Sequence, residues 1–430
     1  MAARIHSVQA VETFAERGLL GLEVTVTTDT GAIGVSTPSA GVSTGDYEAA
    51  FVIDGGSRYG GVGQRQAARN INEIIAPAII GMEVRNQREI DAVMLDLDGT
   101  PNKSRLGANA IVGVSLAVLK AAANSAGLPL YQYIGGPNAC VLPIPIVYAG
   151  QGGRYRDPGR SRWFKPSFEY LAYGATSFSH AHEMCWEIRQ ELRRIIVDRY
   201  DHTALAYNGD VTLVGKARDD RELLDAMTEA IVRAGYQGKV GIYVDMAAGC
   251  YYEKSIDRYV GFFSAGERTR DQMLDLYKDL LANFPFLSME DPLHEEDMAG
   301  HALLTQELGI EIVGDDLFTT NLERLKMGIE LGAANSMVLK ITQVGTVSEA
   351  LDAARTCVAH GYNVHPCGSR GDADSIFDFA VGLNAGQVRG LGAQGGIGYS
   401  RGLAVERQLG RTFVWPGKAA FKGTKQRWLQ

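Results

Sequence analysis

Four short apolar runs in the second half of the chain each end in a charged residue. The four residues are Asp245, Glu290, Asp315 and Lys340. A ligand set made only of carboxylate oxygens favours a hard divalent cation, so three such carboxylates brought together predict a Mg²⁺ site. A lysine beside that cation has its charged form disfavoured and could remove a proton as a general base.

Ordinary structural roles are the alternative for each of these residues. A single carboxylate after a strand often caps the next helix, and Lys340 could form an ion pair with Asp315 or Glu290. We favour the metal site for the group as a whole, because three converging carboxylates raise one another's pKa unless a cation lies between them.

The spacing of the four residues predicts that they lie on a β/α barrel. Glu290, Asp315 and Lys340 follow one another at intervals of 25 residues, about the length of one strand and one helix. Barrels of this type carry their functional residues at the carboxyl ends of the strands. The pattern therefore predicts that one rim of the barrel is the reactive site.

The first third of the chain has a different pattern. Residues 22–28 are rich in β-forming side chains, whereas residues 64–80 and 107–126 carry apolar residues at helical spacing. Gly and Pro are concentrated between residues 135 and 145, which indicates a domain boundary there.

Composition excludes several classes of protein. The 430 residues are 46% hydrophobic and 21% charged, which is typical of a soluble globular protein and excludes a mostly disordered chain or a coiled coil. A net charge of −8 argues against general binding to nucleic acid or to anionic membranes. No apolar run reaches the ~20 residues that cross a bilayer. Five widely separated cysteines favour a reduced, cytoplasmic protein, and 51 glycines predict many turns and loops.

Long segments of the chain match a known family. The most specific are GVSTGDYEA (41–49), LDGTPNKSRLGANAIVGVSLAV (97–118), SMEDP (288–292), IVGDDLFTTN (312–321) and LKITQVGTVSEAL (339–351). Through these segments the chain resembles enolase over nearly its whole length. The resemblance implies an α/β protein with an N-terminal α+β cap domain (1–138) and a C-terminal β/α, TIM-like barrel (139–430).

The resemblance also implies roles for particular residues. Enolases bind Mg²⁺ and interconvert 2-phosphoglycerate and phosphoenolpyruvate. By position, Asp245, Glu290 and Asp315 match the metal ligands, and Lys340 matches the base that removes the proton next to the substrate carboxylate. Ser43 matches a serine that closes onto a second metal ion. Enolases are commonly dimers or octamers, so a homo-oligomer is implied.

Two catalytic positions depart from the family pattern. The family's general acid is the glutamate of a Gly-Asp-Glu-Gly-Gly motif, where this chain has Asn208. A second glutamate, in a Gln-Glu-Phe-Met segment, corresponds to Ser167. An amide cannot donate a proton near neutral pH, and losing such an acid typically costs ~10²–10⁴ in rate. Asp210 or Glu169 could take over the role.

Positions expected to bind substrate also differ. Tyr155 stands where the family has a lid histidine, and Arg389 replaces a lysine. The phosphate loop keeps Ser369 and Arg370 in reversed order, and Arg154 is the first of four arginines in the segment RYRDPGRSR. Arginine forks suit phosphate, phosphonate and carboxylate groups, and a solvated loop of unrelated arginines is the alternative.

These departures lead to a specialised function as the first hypothesis. The chain resembles the enolase-like enzyme of phosphinothricin-type antibiotic pathways, which forms carboxyphosphonoenolpyruvate. We therefore expect a Mg²⁺-dependent enzyme of phosphonate or phosphinate biosynthesis that acts on a small anionic phosphoester or phosphonate, which could be nucleotide-activated. The alternatives are a phosphopyruvate hydratase, the glycolytic enolase, with a rearranged general acid, and a non-catalytic binding protein derived from an enolase.

Overall fold

The computed structural model of the protein describes residues 3–15, 18–41, 45–153, 155, 165–391 and 396–423. Within these ranges the buried apolar side chains form three clusters. One lies in the N-terminal part, one between the barrel strands and the surrounding helices, and one inside the barrel. The N-terminal part, called the cap, and the barrel therefore each have their own hydrophobic core. Each core lies between packed layers of secondary structure.

In its described residues the cap combines a three-stranded antiparallel sheet with five α-helices. The strands are β1 (Ile5–Phe14), β2 (Leu20–Thr28) and β3 (Ile33–Ser36). The helices are α1 (Arg65–Asn70), α2 (Ala76–Ile79), α3 (Gln87–Asp98), α4 (Ala108–Ser125) and α5 (Leu130–Gly135), and a π-helical turn, Ile71–Ile75, joins α1 to α2.

Helix α4 packs closely on the cap sheet because it presents small residues to it. Ser36 in β3 donates a hydrogen bond to the Gly113 carbonyl at 2.6 Å. A Cβ atom at Gly113 would lie 2.7 Å from the Val24 side chain, so a larger residue would push helix and sheet apart.

The same helix is long and apolar enough to cross a membrane by length and composition alone, the one such helix in the described ranges. Within the protein, however, 83% of its residues are buried. A helix that is apolar and mostly buried inside the protein is a core helix.

The barrel alternates strands and helices. Its strands are β4 (Ile144–Gln151), β5 (Ser167–Leu171), β6 (Val211–Thr212), β7 (Gly241–Asp245), β8 (Tyr252–Glu253), β9 (Arg258–Val260), β10 (Glu267–Arg268), β11 (Phe286–Glu290), β12 (Glu311–Gly314), β13 (Ser336–Leu339), β14 (Asn363–Pro366) and β15 (Gln387–Val388). Its helices are α6 (Phe178–Tyr200), α7 (Arg221–Arg233), α8 (Arg270–Asn283), α9 (Met298–Leu308), α10 (Leu322–Leu331), α11 (Ile341–Val344), α12 (Val347–Ala359), α13 (Ala373–Gly382) and α14 (Ile397–Leu409).

The barrel wall follows the strand order β15–β4–β5–β7–β11–β12–β13–β14. Backbone hydrogen bonds of 3.0 Å from Arg389 to the Pro366 carbonyl, and from Gly368 to the Arg389 carbonyl, join β15 to β14 and close the ring. Neighbouring strands are parallel except at β5, which is antiparallel to β4 and to β7. Because β5 runs in the opposite direction, its first residue, Ser167, lies at the rim where the other strands end.

The cap is positioned over this rim by backbone contacts. The amide of Ala49 donates to the Gln343 carbonyl at 2.8 Å, and the amide of Ser39 donates to the Arg370 carbonyl at 2.9 Å. Both acceptors lie just after barrel strands, so the loop that follows β3 in the cap covers the carboxyl ends of the barrel strands.

The fold class predicted from the sequence is confirmed: a β/α barrel with an α+β cap. The apolar run that ends at Asp315 is strand β12, and the helix predicted over residues 107–126 is α4. The helix predicted over residues 64–80 is divided by the π-helical turn, which the apolar spacing alone does not reveal. The domain division at residues 138 and 139 stays a prediction.

Candidate active site

The four charged residues that end apolar runs meet at one rim of the barrel. Asp245 and Glu290 are the last residues of β7 and β11 and pair with each other across the two strands. Asp315 and Lys340 directly follow β12 and β13. All four are buried, with at most 6% of any residue exposed. Parallel strands bring residues that are far apart in sequence to the same edge.

Lys340 and Asp315 form a buried ion pair at this rim. The other Asp315 oxygen accepts a hydrogen bond of 2.8 Å from the Gln343 side chain. Burial alone lowers the pKa of Lys340, but the charge of Asp315 outweighs it and raises this pKa to about 12. Burial would raise the pKa of Asp315, but Lys340 holds it well below its usual range. Lys340 can therefore act as a base only when another cation neutralises the negative charge of Asp315 and so lowers the pKa of the lysine.

Arg389 is the central cation of the site. Its guanidinium donates to Asp245 at 2.6 Å, to the two Glu290 oxygens at 2.6 and 2.5 Å, and to Glu169 at 3.1 Å. Lys165 forms a second ion pair with Asp245. Burial, followed by the charge of Arg389, lowers the pKa of Lys165. The carboxylates at this rim therefore already hold two cationic side chains, Arg389 and Lys165. A site for a cation needs negatively charged groups that converge in this way.

Asp291 holds the loop that carries Asp315. One of its oxygens accepts from the amides of Asp315 and Leu317 at 3.0 and 3.3 Å, and the other accepts from the amide of Asp316 at 2.7 Å. Burial, together with the charges of Asp316 and Asp315, raises the pKa of Asp291 well above its usual range. Asp291 therefore positions the loop that carries Asp315.

The donor set of this rim fits Mg²⁺. Oxygens of Glu290, Asp291 and Asp315 all lie within 4.8 Å of one another, and all three residues are buried. Mg²⁺ binds oxygen ligands at ~2.0–2.1 Å, so opposite ligands around one ion are about 4 Å apart and only a small adjustment is needed. Arg389 contacts Glu290 of this cluster, and both Arg389 and Lys165 pair with the neighbouring Asp245, so a cation that binds there competes with them for these two carboxylates.

The phosphate-loop residues lie on the other side of Lys340. Lys340, Cys367 and Arg370 line one small cavity beneath the cap. The Arg370 guanidinium forms a two-pronged ion pair with Glu48 of the cap. The Ser369 hydroxyl lies 3.3 Å from the Cys367 sulfur. Ser369 and Arg370 are therefore both placed at the rim, and the arginine also links the rim to the cap.

The two predicted acid positions are placed differently. Ser167 is buried, and its backbone pairs with Asp245. Asn208 lies on an exposed turn, where its amide contacts Asp210 and its carbonyl accepts from Arg193 at 3.0 Å. The next two residues, Gly-Asp, can also be matched to the family motif, which would assign the acid position to Val211. Neither match supplies a glutamate.

The remaining predicted residues divide into two groups. The hydroxyl of Tyr155 lies 3.1 Å from Asp220, close to the end of β4. Arg154 and Ser43 lie outside the described residues. The assigned roles of all these residues stay predictions.

Several residues at the site were missed by sequence reasoning. Glu48, Gln343 and Asp291 lie inside the matching segments GVSTGDYEA, LKITQVGTVSEAL and SMEDP, which were the available signal. For Lys165 and Asp220 the sequence offers none, because each lies in a loop whose path depends on the barrel.

Comparison with known proteins gives a consistent picture. Residues 5–134 match the model "Enolase, N-terminal domain", and residues 139–424 match "Enolase, C-terminal TIM barrel domain". The chain is 44% identical to an enolase of Pyrococcus furiosus, with 96% of this chain and 97% of the relative covered. It is 42% identical to an enolase of Methanocaldococcus jannaschii (94% and 96% covered) and 43% identical to one of Thermococcus kodakarensis (96% and 97% covered).

These relatives correct the hypothesis of a phosphonate enzyme. They match over nearly their full length and are named enolases, so the expectation that this chain forms carboxyphosphonoenolpyruvate is wrong. That expectation depended on the lost general acid and on added arginine charge; in the structure the Arg389 guanidinium contacts three carboxylates of the protein itself. The prediction of Mg²⁺ as cofactor is confirmed by the buried carboxylate cluster together with these matches. The chain is an enolase-superfamily lyase, and it belongs to the enolase family.

Proposed function

We propose that this protein catalyses the Mg²⁺-dependent, reversible dehydration of 2-phosphoglycerate to phosphoenolpyruvate. The observation that carries the proposal is the convergence of Asp245, Glu290, Asp315 and Lys340 on one buried rim. The identity of up to 44% to proteins named enolase supports the same reaction. Its substrate is then a small anionic phosphoester.

In the proposed reaction Lys340 removes the proton from the carbon next to the substrate carboxylate. Asp245, Glu290 and Asp315 would hold Mg²⁺, and the ion would supply positive charge that stabilises negative charge developing on the substrate and disfavours the charged form of Lys340. Lys340 is well placed for this role because Asp315 fixes its amine at the rim and burial excludes water around it.

The substrate's phosphate is assigned to the phosphate-loop side of the rim. Arg370 has a planar fork that suits a phosphate group, and Ser369 lies beside it. Glu48 holds the Arg370 guanidinium in the cavity that Lys340 also lines. We assign Ser43 and Tyr155 to the closing side of the site, following their match to family positions, and Arg154 to substrate binding as one of the added arginines.

The missing glutamate at Asn208 does not argue for a different reaction. General acids typically contribute ~10²–10⁴ in rate, which leaves the same reaction running more slowly if nothing replaces them. The base and the metal ligands decide which bond is activated, and both are retained in this chain. A rearranged proton donor is therefore the simpler explanation of the substitution.

The direct test is turnover of 2-phosphoglycerate by the purified chain with Mg²⁺, followed by the ultraviolet absorbance of phosphoenolpyruvate. We expect turnover that is lost on chelation of the metal and in the variant Lys340→Ala. Lys103→Ala is the matched control, because Lys103 is a similarly buried lysine that pairs with Glu349 at 2.9 Å.

Two results would overturn the proposal. One is a folded, Mg²⁺-saturated protein without turnover, which would favour the binding-protein alternative. The other is turnover that Lys340→Ala leaves unchanged, which would mean that the rim is not the reactive site.

We further infer a cytoplasmic homo-oligomer built from the two domains 1–138 and 139–430. All five cysteines are free, as expected in a reducing compartment. The family matches, 5–134 and 139–424, support this domain division. Size-exclusion chromatography with light scattering would measure the size of the oligomer.

A further inference from the structure

The dehydration reaction needs a proton donor as well as a base. When the carbon–oxygen bond of the substrate breaks, hydroxide leaves, and its departure is accelerated by an acid that converts it to water. Lys340 lies on the base side, and neither Asn208 nor Ser167 carries an acidic proton. The inference below rests on the proposed function and concerns the group that supplies this proton.

A tyrosine and an aspartate lie together at the end of β4. The Tyr155 hydroxyl is 3.1 Å from one oxygen of Asp220, and the amide of Gly153 donates to the same oxygen at 2.7 Å. Asp220 directly precedes α7 and is fully buried. Its second oxygen has no hydrogen-bond partner among the described residues.

The backbone around this pair is shaped to admit it. A Cβ atom at Gly152 would collide with the Asp220 carboxyl group, and one at Gly153 would lie 2.6 Å from the Tyr155 ring. Two consecutive glycines thus allow the aspartate and the tyrosine to approach the strand end. The pair is therefore a built feature of the rim and does not depend on chance surface contacts.

The pair also lies near the metal ligands. Gly152 follows Gln151, whose backbone pairs with Ser167, and Ser167 pairs in turn with Asp245. Adjacent strands are about 4.8 Å apart, so the end of β4 is separated from Asp245 by two strand spacings, about 10 Å. The end of β4, which Tyr155 follows four residues later, thus lies at the same rim as Asp245.

The surroundings of Asp220 favour its protonated form. Burial is the main cause that raises its pKa well above the usual range, and the nearby charges of Asp219 and Glu222 act in the same direction. The hydrogen bonds from Gly153 and Tyr155 oppose this shift only in part. No cation is paired with Asp220 in the described part of the chain, which distinguishes it from the other candidate acids.

Those other candidates are bound by positive charge or by an amide. Asp210 is ion-paired with Arg189 through one oxygen and accepts from the Asn208 amide through the other. Glu169 is held by Arg389. An arginine beside a carboxyl group favours its ionised form, although burial is the main cause that raises the pKa of both Asp210 and Glu169.

We propose that Tyr155 and Asp220 together deliver the proton that converts the leaving hydroxide to water. The Tyr155 hydroxyl donates its proton to the departing oxygen as the carbon–oxygen bond breaks. The Tyr155 oxygen then takes up the proton of the Asp220 carboxyl group. One water is released, Asp220 is left as a carboxylate, and it regains a proton from solvent before the next turnover. Tyr155 is then the catalytic residue, and Asp220 is a positioning residue and proton reservoir that acts through it.

The test separates the two proton transfers. Removal of the substrate's C2 proton by Lys340 can be followed by the entry of solvent deuterium into 2-phosphoglycerate, detected by NMR, and this exchange needs no acid. Turnover to phosphoenolpyruvate needs both groups. We expect Tyr155→Phe and Asp220→Asn to lower turnover by ~10²–10⁴, as for other general acids, while exchange stays within a few-fold of the unmodified chain.

Asp220→Asn is expected to fold, because its amide oxygen can still accept from Gly153 and Tyr155. Asp378→Asn is the matched control: Asp378 is another buried aspartate, paired with Arg401 at 2.6 Å away from the rim, so its loss should lower the melting temperature and leave the ratio of turnover to exchange unchanged. If Asp220→Asn does not fold, Tyr155→Phe alone decides, since it removes one hydroxyl from a half-buried ring.

The inference is overturned if both variants keep turnover within twofold of the unmodified chain. It is also overturned if turnover and exchange fall together, which would mean that the pair has only a structural part. A failure of the proposed function looks different, because the unmodified chain itself would then show no turnover.

Discussion

The two ends of the barrel both bury carboxylates, but they satisfy them in different ways. At the rim, Asp245, Glu290 and Asp315 face the cationic groups of Lys165, Lys340 and Arg389. At the opposite end, Glu311 begins β12 and receives mostly neutral hydrogen-bond donors. The donors are Ser288 (2.7 Å), Gln387 (2.9 Å), Ser336 (2.9 Å), Asn363 (2.6 Å) and the amide of Lys422 (3.3 Å).

This difference separates a functional end from a structural end. Neutral donors aimed at a single carboxylate occupy its lone pairs, so they stabilise it and leave little capacity for another ligand. Several carboxylates that pair with long, cationic side chains can release those side chains and bind a metal cation in their place. The donor network around Glu311 also fixes the C-terminal segment, since Lys422 takes part in it. The same residue type thus stabilises one end and binds ligands at the other.

The largest expected effect is at the rim. We expect Lys340→Ala to lower turnover of 2-phosphoglycerate by ~10²–10⁴, because the general base is lost. Steady-state kinetics at saturating Mg²⁺ would measure it. Lys103→Ala should leave turnover nearly unchanged and reduce only stability. A drop of similar size in both variants would mean that burial of a lysine, and not its place at the rim, is what matters.

At the opposite end we expect the reverse result. Glu311→Gln replaces one carboxylate oxygen by an NH₂ group that faces other hydrogen-bond donors. Breaking a buried charged network in this way typically lowers the free energy of unfolding by about 3–5 kcal/mol. Urea unfolding would measure the loss. The fraction that remains folded should keep the turnover of the unmodified chain. Unchanged stability, or a specific loss of turnover, would contradict the structural role of Glu311.

The contrast between the ends also explains what the sequence could predict. Each of the four charged rim residues, Asp245, Glu290, Asp315 and Lys340, ends an apolar run. The regular alternation of strands and helices in a barrel brings residues at the ends of such runs to one rim. Glu311 lies inside one of the same apolar runs, IEIVGD. Its function as the centre of a network depends on donors from β11, β13, β14 and β15, and their meeting at one point requires the closed barrel.

Other parts of the site could not be predicted for a related reason. The partners of Arg389 come from three other strands, so its sequence neighbours do not reveal that it binds protein carboxylates. This is why its charge was first assigned to a phosphonate substrate. Tyr155 and Asp220 are 65 residues apart and meet only because the loop after β4 passes the start of α7.

Metal binding should affect only one end. Mg²⁺ at a concentration 100 times its Kd is expected to raise the free energy of unfolding by about 2.7 kcal/mol, because it binds the folded chain alone. Thermal unfolding with Mg²⁺ and with a chelator would show the difference. The stabilisation should disappear in Glu290→Gln and persist in Glu311→Gln. Equal stabilisation in both variants would place the ion outside the rim cluster.

The smallest expected effect is the pH dependence of the Glu311 network. Burial opposes ionisation of Glu311, but the charge of His365, 3.5 Å away, and the hydrogen bonds from its donors outweigh it, and its pKa is lowered from 4.5 to about 2. A lowered pKa in the folded state stabilises the fold above pH 4.5 and loses this effect as pH falls towards 2.

The measurable quantity is the gap in unfolding free energy between the unmodified chain and Glu311→Gln. Between about pH 6 and pH 3 this gap should narrow by about 2 kcal/mol, because only the unmodified chain has a carboxylate to protonate at this position. Carboxylates at the rim titrate in both proteins, so their contribution cancels in the difference. A gap that stays constant over this range would show that His365 and the hydrogen-bond donors do not hold Glu311 as an anion, and the distinction between the two ends would then rest on the metal alone.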